Sequence, residues 1–280
     1  MARYTIIGGD YRNIELKSEL ENDGNQVNIY GFSNIQEQKS MKDSIKESDV
    51  IITPIIFSKD DKNINTPLGD KDIKIEDVLD SIKNSQILVL GKVSDKIYEG
   101  VKNLRCINIL KREEMAVLNA IPTAEGAIQA AMENLSITLH GSNCMILGFG
   151  RIGKILAKML SGIGANVYVE ARNEKDLSFI YAYGYNKVHL KDLGQNVGNM
   201  DVIFNTIPSI VINYDILKNI KKETLVIDLA SKPHGVDFDL AAKMGINTKL
   251  LLELPGKVAP KTSARFMKEA IYNAIKEMEV

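Results

Sequence analysis

The chain has 280 residues, 45% of them hydrophobic and 25% charged, with 35 Lys and Arg against 36 Asp and Glu. That length suits one large domain or two ordinary ones, and the composition is that of a soluble globular protein. A formal net charge of −1 excludes a global basic field for nucleic acid or a membrane surface, and no apolar run reaches the roughly 18 residues that a spanning segment needs.

The opening stretch MARYTIIGGD reads as a short β-like run and not as a signal peptide. Strand-like segments follow at Tyr4–Ile7, Gln26–Tyr30, Asp49–Thr53, Gln86–Leu90 and Arg105–Ile109, with helical stretches such as Asn13–Asn22 between them. The polar stretch Phe57–Lys74, with Pro67 and Gly69, predicts a long loop of the functional or mobile kind. Past Lys111, REEMAVLNA and TAEGAIQAAMENL predict a long helical region that Pro122 breaks. A second series of strands, NCMIL, NVYVEA, DVIFNT, TLVIDL and INTKLL, leads to a final helix from about Thr262 to Met278. Short apolar strands alternating with helices predict an α/β protein with two doubly wound, Rossmann-like parallel-sheet domains joined by long helices. The expected division is an N-terminal substrate-side domain over 1–119 and an NAD(P)-binding domain over 120–262, with the C-terminal helix, 263–280, packing back on the first. Cys106 and Cys144 lack His or Cys neighbours at ligand spacing, so no metal is expected; reduced buried thiols suit the cytoplasm.

The segment MILGFGRIGKIL carries Gly148, Gly150 and Gly153 in a G-x-G-x-x-G pattern. Its context, after a buried strand and opening a helix, is that of a pyrophosphate cradle. Gly148 makes the turn, Gly150 clears the backbone for the phosphates, and Gly153 lets helix and strand pack closely. Arg151 and Ile152 place their N–H groups at the helix N-terminus, where partial positive charge favours an anion. At the end of the next strand the sequence reads Glu170-Ala171-Arg172-Asn173. Arg172 and Asn173 facing the ribose 2′ position favour NADP, with NAD possible if Glu170 takes that place instead. Thr206 and Pro208, in DVIFNTIPS, are expected to line the cofactor near the nicotinamide ribose.

Three further loops leave strand ends, where open α/β sheets bind ligands. GGDYRN offers Arg12 to an anionic substrate, DLASKPHGVDF offers His234 as a general acid–base candidate, and LPGKVAPKTSA offers Lys257 and Lys261 as carboxylate anchors. Lys257 is also placed among the catalytic candidates. His140 and His189 read as structural or solvated, and no Ser–His–Asp or Cys–His constellation is legible.

Taken together and in order, GGDYRN, PTAEGAIQAAM, GFGRIG, ARN, DLASKPHGVDF and LPGKVAPKTSA resemble the A subunits of dipicolinate synthases over the whole chain. The resemblance implies oxidation of a dihydrodipicolinate-type intermediate to pyridine-2,6-dicarboxylate, with NAD(P) as hydride acceptor, in the mother-cell cytoplasm of a sporulating bacterium. It implies a hetero-oligomer with a second polypeptide, one of the B subunits of dipicolinate synthases, similar to flavodoxin-like flavoproteins. It also implies a small dicarboxylate substrate held by Arg12, Lys257 and Lys261. Glycine is more usual in the family where this chain has His234, which turns that residue from an obligatory catalyst toward a substrate contact. Two alternatives stand beside this reading: a two-domain dehydrogenase of the 2-hydroxyacid type, and an NADP-binding regulatory subunit without its own turnover.

Overall fold

Short apolar strands linked by helices satisfy their backbone groups as parallel ladders covered on both faces. The computed structural model, which describes residues 1–35 and 39–278, follows that rule twice. The first series is β1 (Arg3–Ile7), α1 (Tyr11–Asn22), β2 (Gln26–Tyr30), α2 (Met41–Glu47), β3 (Val50–Ile52), α3 (Ile75–Leu79), β4 (Ile87–Leu90), α4 (Asp95–Val101) and β5 (Arg105–Asn108). Its five parallel strands lie in the order β2-β1-β3-β4-β5. After α5 (Glu113–Asn134) come β6 (Asn143–Leu147), α6 (Arg151–Ile163), β7 (Asn166–Ala171), α7 (Glu174–Ala182), β8 (Asn186–His189), α8 (Leu193–Asn196), β9 (Val202–Asn205), α9 (Tyr214–Leu217), β10 (Leu225–Asp228), α10 (Phe238–Lys243) and β11 (Asn247–Leu250). Six parallel strands follow the order β11-β10-β9-β6-β7-β8. The described chain closes with α11 (Leu254–Val258) and α12 (Pro260–Met278). Two doubly wound parallel sheets are therefore present, as the alternation predicts. The edge strand β8 is the one the apolar pattern does not announce, because only Val188 of its residues is buried.

The chain divides into two compact units, residues 1–119 with 259–280, and residues 120–258. Helix α5 contains the division and runs unbroken through Pro122, against the expected break. Proline removes a ladder hydrogen bond and costs a helix interior on the order of 3 kcal/mol. Just beyond it, Ala124, Ala127, Ile128 and Ala131 are buried in the second unit's core, and burial at roughly 0.8 kcal/mol per CH₂ offsets that loss.

Helix α12 belongs to the first unit and lies against α1. Its buried face is Phe266, Met267, Ala270, Ile271 and Ala274, a helical 3–4 spacing. Lys268 Nζ bridges the carboxylates of Glu19 at 3.2 Å and Asp23 at 3.0 Å, and Tyr272 donates to Asp23 at 2.9 Å. The helix begins at Pro260 rather than Thr262, since proline is well tolerated in a first turn. Glu279 and Val280 of the expected final helix lie outside the described residues.

The stretch 57–74 is a packed loop. Phe57 and Ile64 are buried, Asn65 N–H donates to Phe57 O at 2.8 Å, and Ile64 N–H donates to Ile73 O at 2.8 Å. Among the described residues no helix is long and apolar enough to cross a membrane, and no group of three His, Cys, Asp or Glu is placed to hold a metal ion. Both cysteines are free; burial pushes the Cys144 thiol up to about 11.

Candidate functional site: the glycine turn of the second unit

Strand β6 ends at Leu147 and the chain reverses at Gly148, whose φ of 94° is left-handed backbone open to glycine. A Cβ there would stand 2.7 Å from Thr206 Oγ1 and 2.9 Å from Ile207 Cγ1. Thr206 donates its hydroxyl to Leu147 O at 2.8 Å, which seals that side of the turn. A Cβ at Gly153 would collide with Gly148 O, so α6 packs closely on the turn. Gly150 is different: it caps α6 without a side chain, it is exposed, and a Cβ there meets nothing within 4 Å. The first N–H groups of a helix have no intrahelical acceptors. Here Gly150 supplies no side-chain cap for them, and Arg151 and Ile152 begin the helix beside this open space. The residues present fit a dinucleotide pyrophosphate.

At the carboxyl end of β7, Glu170 is 2% exposed and its Oε2 accepts the Gly148 N–H at 3.1 Å. Burial pushes its carboxyl above the ordinary range, while that N–H and the charge of Arg172 pull the other way. Arg172 itself is exposed. Asn173 is spent on local structure: its Oδ1 accepts the Asp176 N–H at 2.9 Å and caps α7, and its Nδ2 donates to the Asp176 carboxylate at 2.7 Å. An Asn preceding a helix finds a backbone partner there, so both polar atoms of Asn173 are engaged in the α7 cap.

The corresponding turn of the first unit is filled by its own side chains. Asp10 caps α1, accepting the Arg12 N–H at 3.0 Å. The Arg12 guanidinium is turned back onto the same carboxylate, with Nη2 2.6 Å from Oδ2, and the residue is 4% exposed. Arg12 therefore does not project from the turn as the sequence suggests: a carboxylate two residues away captures it. Burial raises the Asp10 carboxyl, but hydrogen bonding to Arg12 and its charge hold it below the usual range. Gly9 faces the Asn13 amide so closely that a Cβ would collide with it, and Gly8 faces Asn65 O, Ile64 and Thr66.

Beyond β9 and β10 two loops are tied together. Asn205 and Asp228, both with zero exposure, are joined by an amide-to-carboxylate hydrogen bond of 2.8 Å. Pro208 is exposed at the tip of the first loop. His234, in the second, has a left-handed φ of 72° and places Nδ1 2.9 Å from Ala230 O. A carbonyl only accepts, so Nδ1 is the donor in this hydrogen bond. Lys257 and Lys261 do not sit on a loop as expected; LPGKVAPKTSA forms α11 and the start of α12. Both are exposed, Lys257 in the second unit and Lys261 in the first, and Lys257 Nζ donates to Leu252 O at 2.9 Å. His140 and His189 make backbone hydrogen bonds with Ile163 O and Lys191 N. The Asn205–Asp228 pair and the Glu170–Gly148 bond were missed by sequence reasoning. Their common signal is a polar residue ending an otherwise apolar strand.

This architecture, with an open glycine turn at the head of α6, defines a two-unit α/β protein with a dehydrogenase-type dinucleotide-binding unit. Residues 3–110 match the N-terminal domain family of dipicolinate synthase A subunits, and residues 115–244 match the D-isomer specific 2-hydroxyacid dehydrogenase NAD binding domain. One of these A subunits, the dipicolinate synthase polypeptide of Bacillus subtilis, is 31% identical over 288 aligned residues, covering 99% of this chain and 97% of that protein. The crystal structure of the Bacillus halodurans counterpart has a TM-score of 0.88 at 30% identity, covering 97% of each chain. That of the B. subtilis protein has 0.89 at 29%, covering 99% of this chain and 97% of the other. The Sinorhizobium meliloti transhydrogenase, at 13% identity and TM-score 0.69 over 98% of this chain and 94% of that one, shares the fold. The chain belongs to the family of dipicolinate synthase A subunits.

Proposed function

We propose that this chain is the nicotinamide-dependent component of a dipicolinate synthase, oxidising a dihydrodipicolinate-type intermediate to dipicolinate with NADP. The observation that carries the reading is the open space at Gly150 in a turn otherwise closed by Thr206 and Glu170. Family membership supplies the reaction class, since the relatives bear the name dipicolinate synthase. When bound, the nicotinamide supplies the hydride acceptor. The chain's residues do the rest. Gly148, Gly150 and Gly153 let the backbone approach the pyrophosphate. Arg172 attracts a 2′-phosphate that a carboxylate there would repel, and Glu170 is committed to Gly148. Thr206 and Pro208 border the nicotinamide half.

The ring loses a hydride and a proton. His234 Nε2 is available to take the proton, and aromatisation of the product reduces the demand for a strong base. Lys257, exposed in the second unit, is the residue that anchors a substrate carboxylate on this reading. The working enzyme on this reading is a hetero-oligomer with a flavodoxin-like flavoprotein, the partner found among dipicolinate synthase B subunits, in the mother-cell cytoplasm during sporulation.

The test is a titration of the purified chain with NADPH and NADH, in wild type and Arg172→Ala. NADPH binds more tightly to wild type, and the substitution weakens it about tenfold while leaving NADH unchanged. Equal binding of both, unaffected by the substitution, moves the 2′ contact to Glu170 and overturns NADP. Lys257→Met, assayed with the flavoprotein partner present, raises the substrate KM on the order of tenfold; an unchanged KM removes Lys257 from the substrate site.

A further inference from the structure

Asp228 is a carboxylate with zero exposure at the end of an apolar strand, and among the described residues no Lys or Arg pairs with it. A buried charge without a cation is costly unless hydrogen bonds replace its water. Three N–H groups do so. Oδ1 accepts from Asn205 Nδ2 at 2.8 Å and from Ala230 N at 3.0 Å, and Oδ2 accepts from Gly235 N at 2.8 Å. Asn205 uses its remaining capacity on the loop that leaves its own strand, donating to Ile207 O at 3.0 Å and accepting from Ile207 N at 3.2 Å. Gly235 O then accepts the N–H groups of Val211 and Ile212 at 3.0 and 2.9 Å. One carboxylate and one amide thus fix both ends of the loops leaving β9 and β10.

Those loops lie beyond strand carboxyl ends on the far side of β6 from β7. In a doubly wound sheet the dinucleotide lies across that switch point, with its adenosine half toward β7. The nicotinamide half therefore falls to the β9 and β10 loops. Maintaining a desolvated charge there is an expensive way to hold a turn, and it returns a loop fixed in one conformation.

We infer that Asp228 and Asn205 are positioning residues that hold the Thr206–Pro208 and His234 loops for the nicotinamide half of the cofactor, and contribute nothing to the adenosine half. The inference rests on the cofactor reading above.

The test is binding of NADPH, and of ADP-ribose and its 2′-phosphate, which lack nicotinamide, to wild type and Asp228→Asn. The amide keeps one acceptor oxygen and sets a donor against at least one of the three N–H groups. The expected result is a split: fragment affinity stays within about twofold, NADPH affinity falls about tenfold, and the shift in bound-nicotinamide fluorescence is lost. Equal weakening of fragments and NADPH assigns the pair to structure alone and overturns the inference, as does no change in either. Where Asp228→Asn does not melt cooperatively, Asn205→Ser leaves Asp228 its two backbone donors and is expected to give the same split; its absence is equally decisive. Wild type that binds neither fragment nor NADPH defeats the cofactor reading instead.

Discussion

In each unit the first strand runs into a glycine turn and a helix, yet only one turn is open. In the first, Asp10 caps α1, Asn13 fills the space over Gly9, and Asn65 closes on Gly8. In the second, Gly150 leaves α6 uncapped by any side chain, with no atom within 4 Å of where a Cβ would be. Glycine permits close approach, and the neighbouring side chains decide what fills the space: the protein's own groups in the first unit, none of them at Gly150 in the second. GGDYRN and GFGRIG resemble one another as patterns, but an Asp at the N-cap already occupies the helix N-terminus that an anion would use.

Substitution at the two turns should separate their roles. Gly8→Ala forces a side chain into left-handed backbone, φ 66°, with a Cβ 2.8 Å from Asn65 O. The expected loss is about 2–4 kcal/mol in urea denaturation; a loss below about 1 kcal/mol means the first turn has more room than its contacts indicate. Gly150→Val has space and an ordinary φ of −83°. It should shift the melting temperature by no more than about 2 °C while weakening NADPH binding roughly 100-fold. Retained binding would show that Gly150 does not face the cofactor.

The units also differ in how they are completed, since the first takes in the chain's last helix. Lys268, which bridges Glu19 and Asp23, ties α12 to α1. Lys268→Met should destabilise the first unit by about 1–2 kcal/mol, the range for a partly buried charged hydrogen bond. NADPH affinity should not change; a parallel loss of affinity would link α12 to the cofactor site.

Apolar runs made both sheets and the glycine fingerprint legible, because strand burial and backbone approach are written in residue size and polarity. What escaped detection was mostly side-chain pairing. Nothing in GGDYRN announces that Asp10 takes both the Arg12 backbone N–H and its guanidinium, and nothing in ARN announces that Asn173 caps α7. The helix through Pro122 escaped for a different reason: local propensity forecasts a break, and burial of the small residues beyond it decides otherwise. LPGKVAPK combines Pro and Gly in the manner of a loop around Lys257 and Lys261, yet Leu254, Pro255 and Gly256 are buried in a helical turn.

The sharpest contrast between the turns is the opposite displacement of their carboxyls. Despite its burial, Asp10 is held below the usual range by Arg12, so its ionised form stabilises the fold. That contribution is present above the unfolded-state value and is lost as pH falls through the depressed folded one. Glu170 is raised, chiefly by burial, so its ionisation opposes folding; wild-type stability declines as pH climbs from the ordinary carboxylate range through the raised value. At neutral pH, Asp10→Asn should therefore lower the melting temperature, with a loss of roughly 1 kcal/mol typical of a weakened N-cap. Glu170→Gln, whose Oε1 can still accept the Gly148 N–H, should raise it. Both differences should shrink toward acid pH, where wild type carries protonated carboxyls in both states. Melting curves at neutral and acid pH check the signs. A shared sign would mean that Glu170 gains more from Gly148 and Arg172 than it loses by burial, and the second turn would then hold a stabilising carboxylate as the first does.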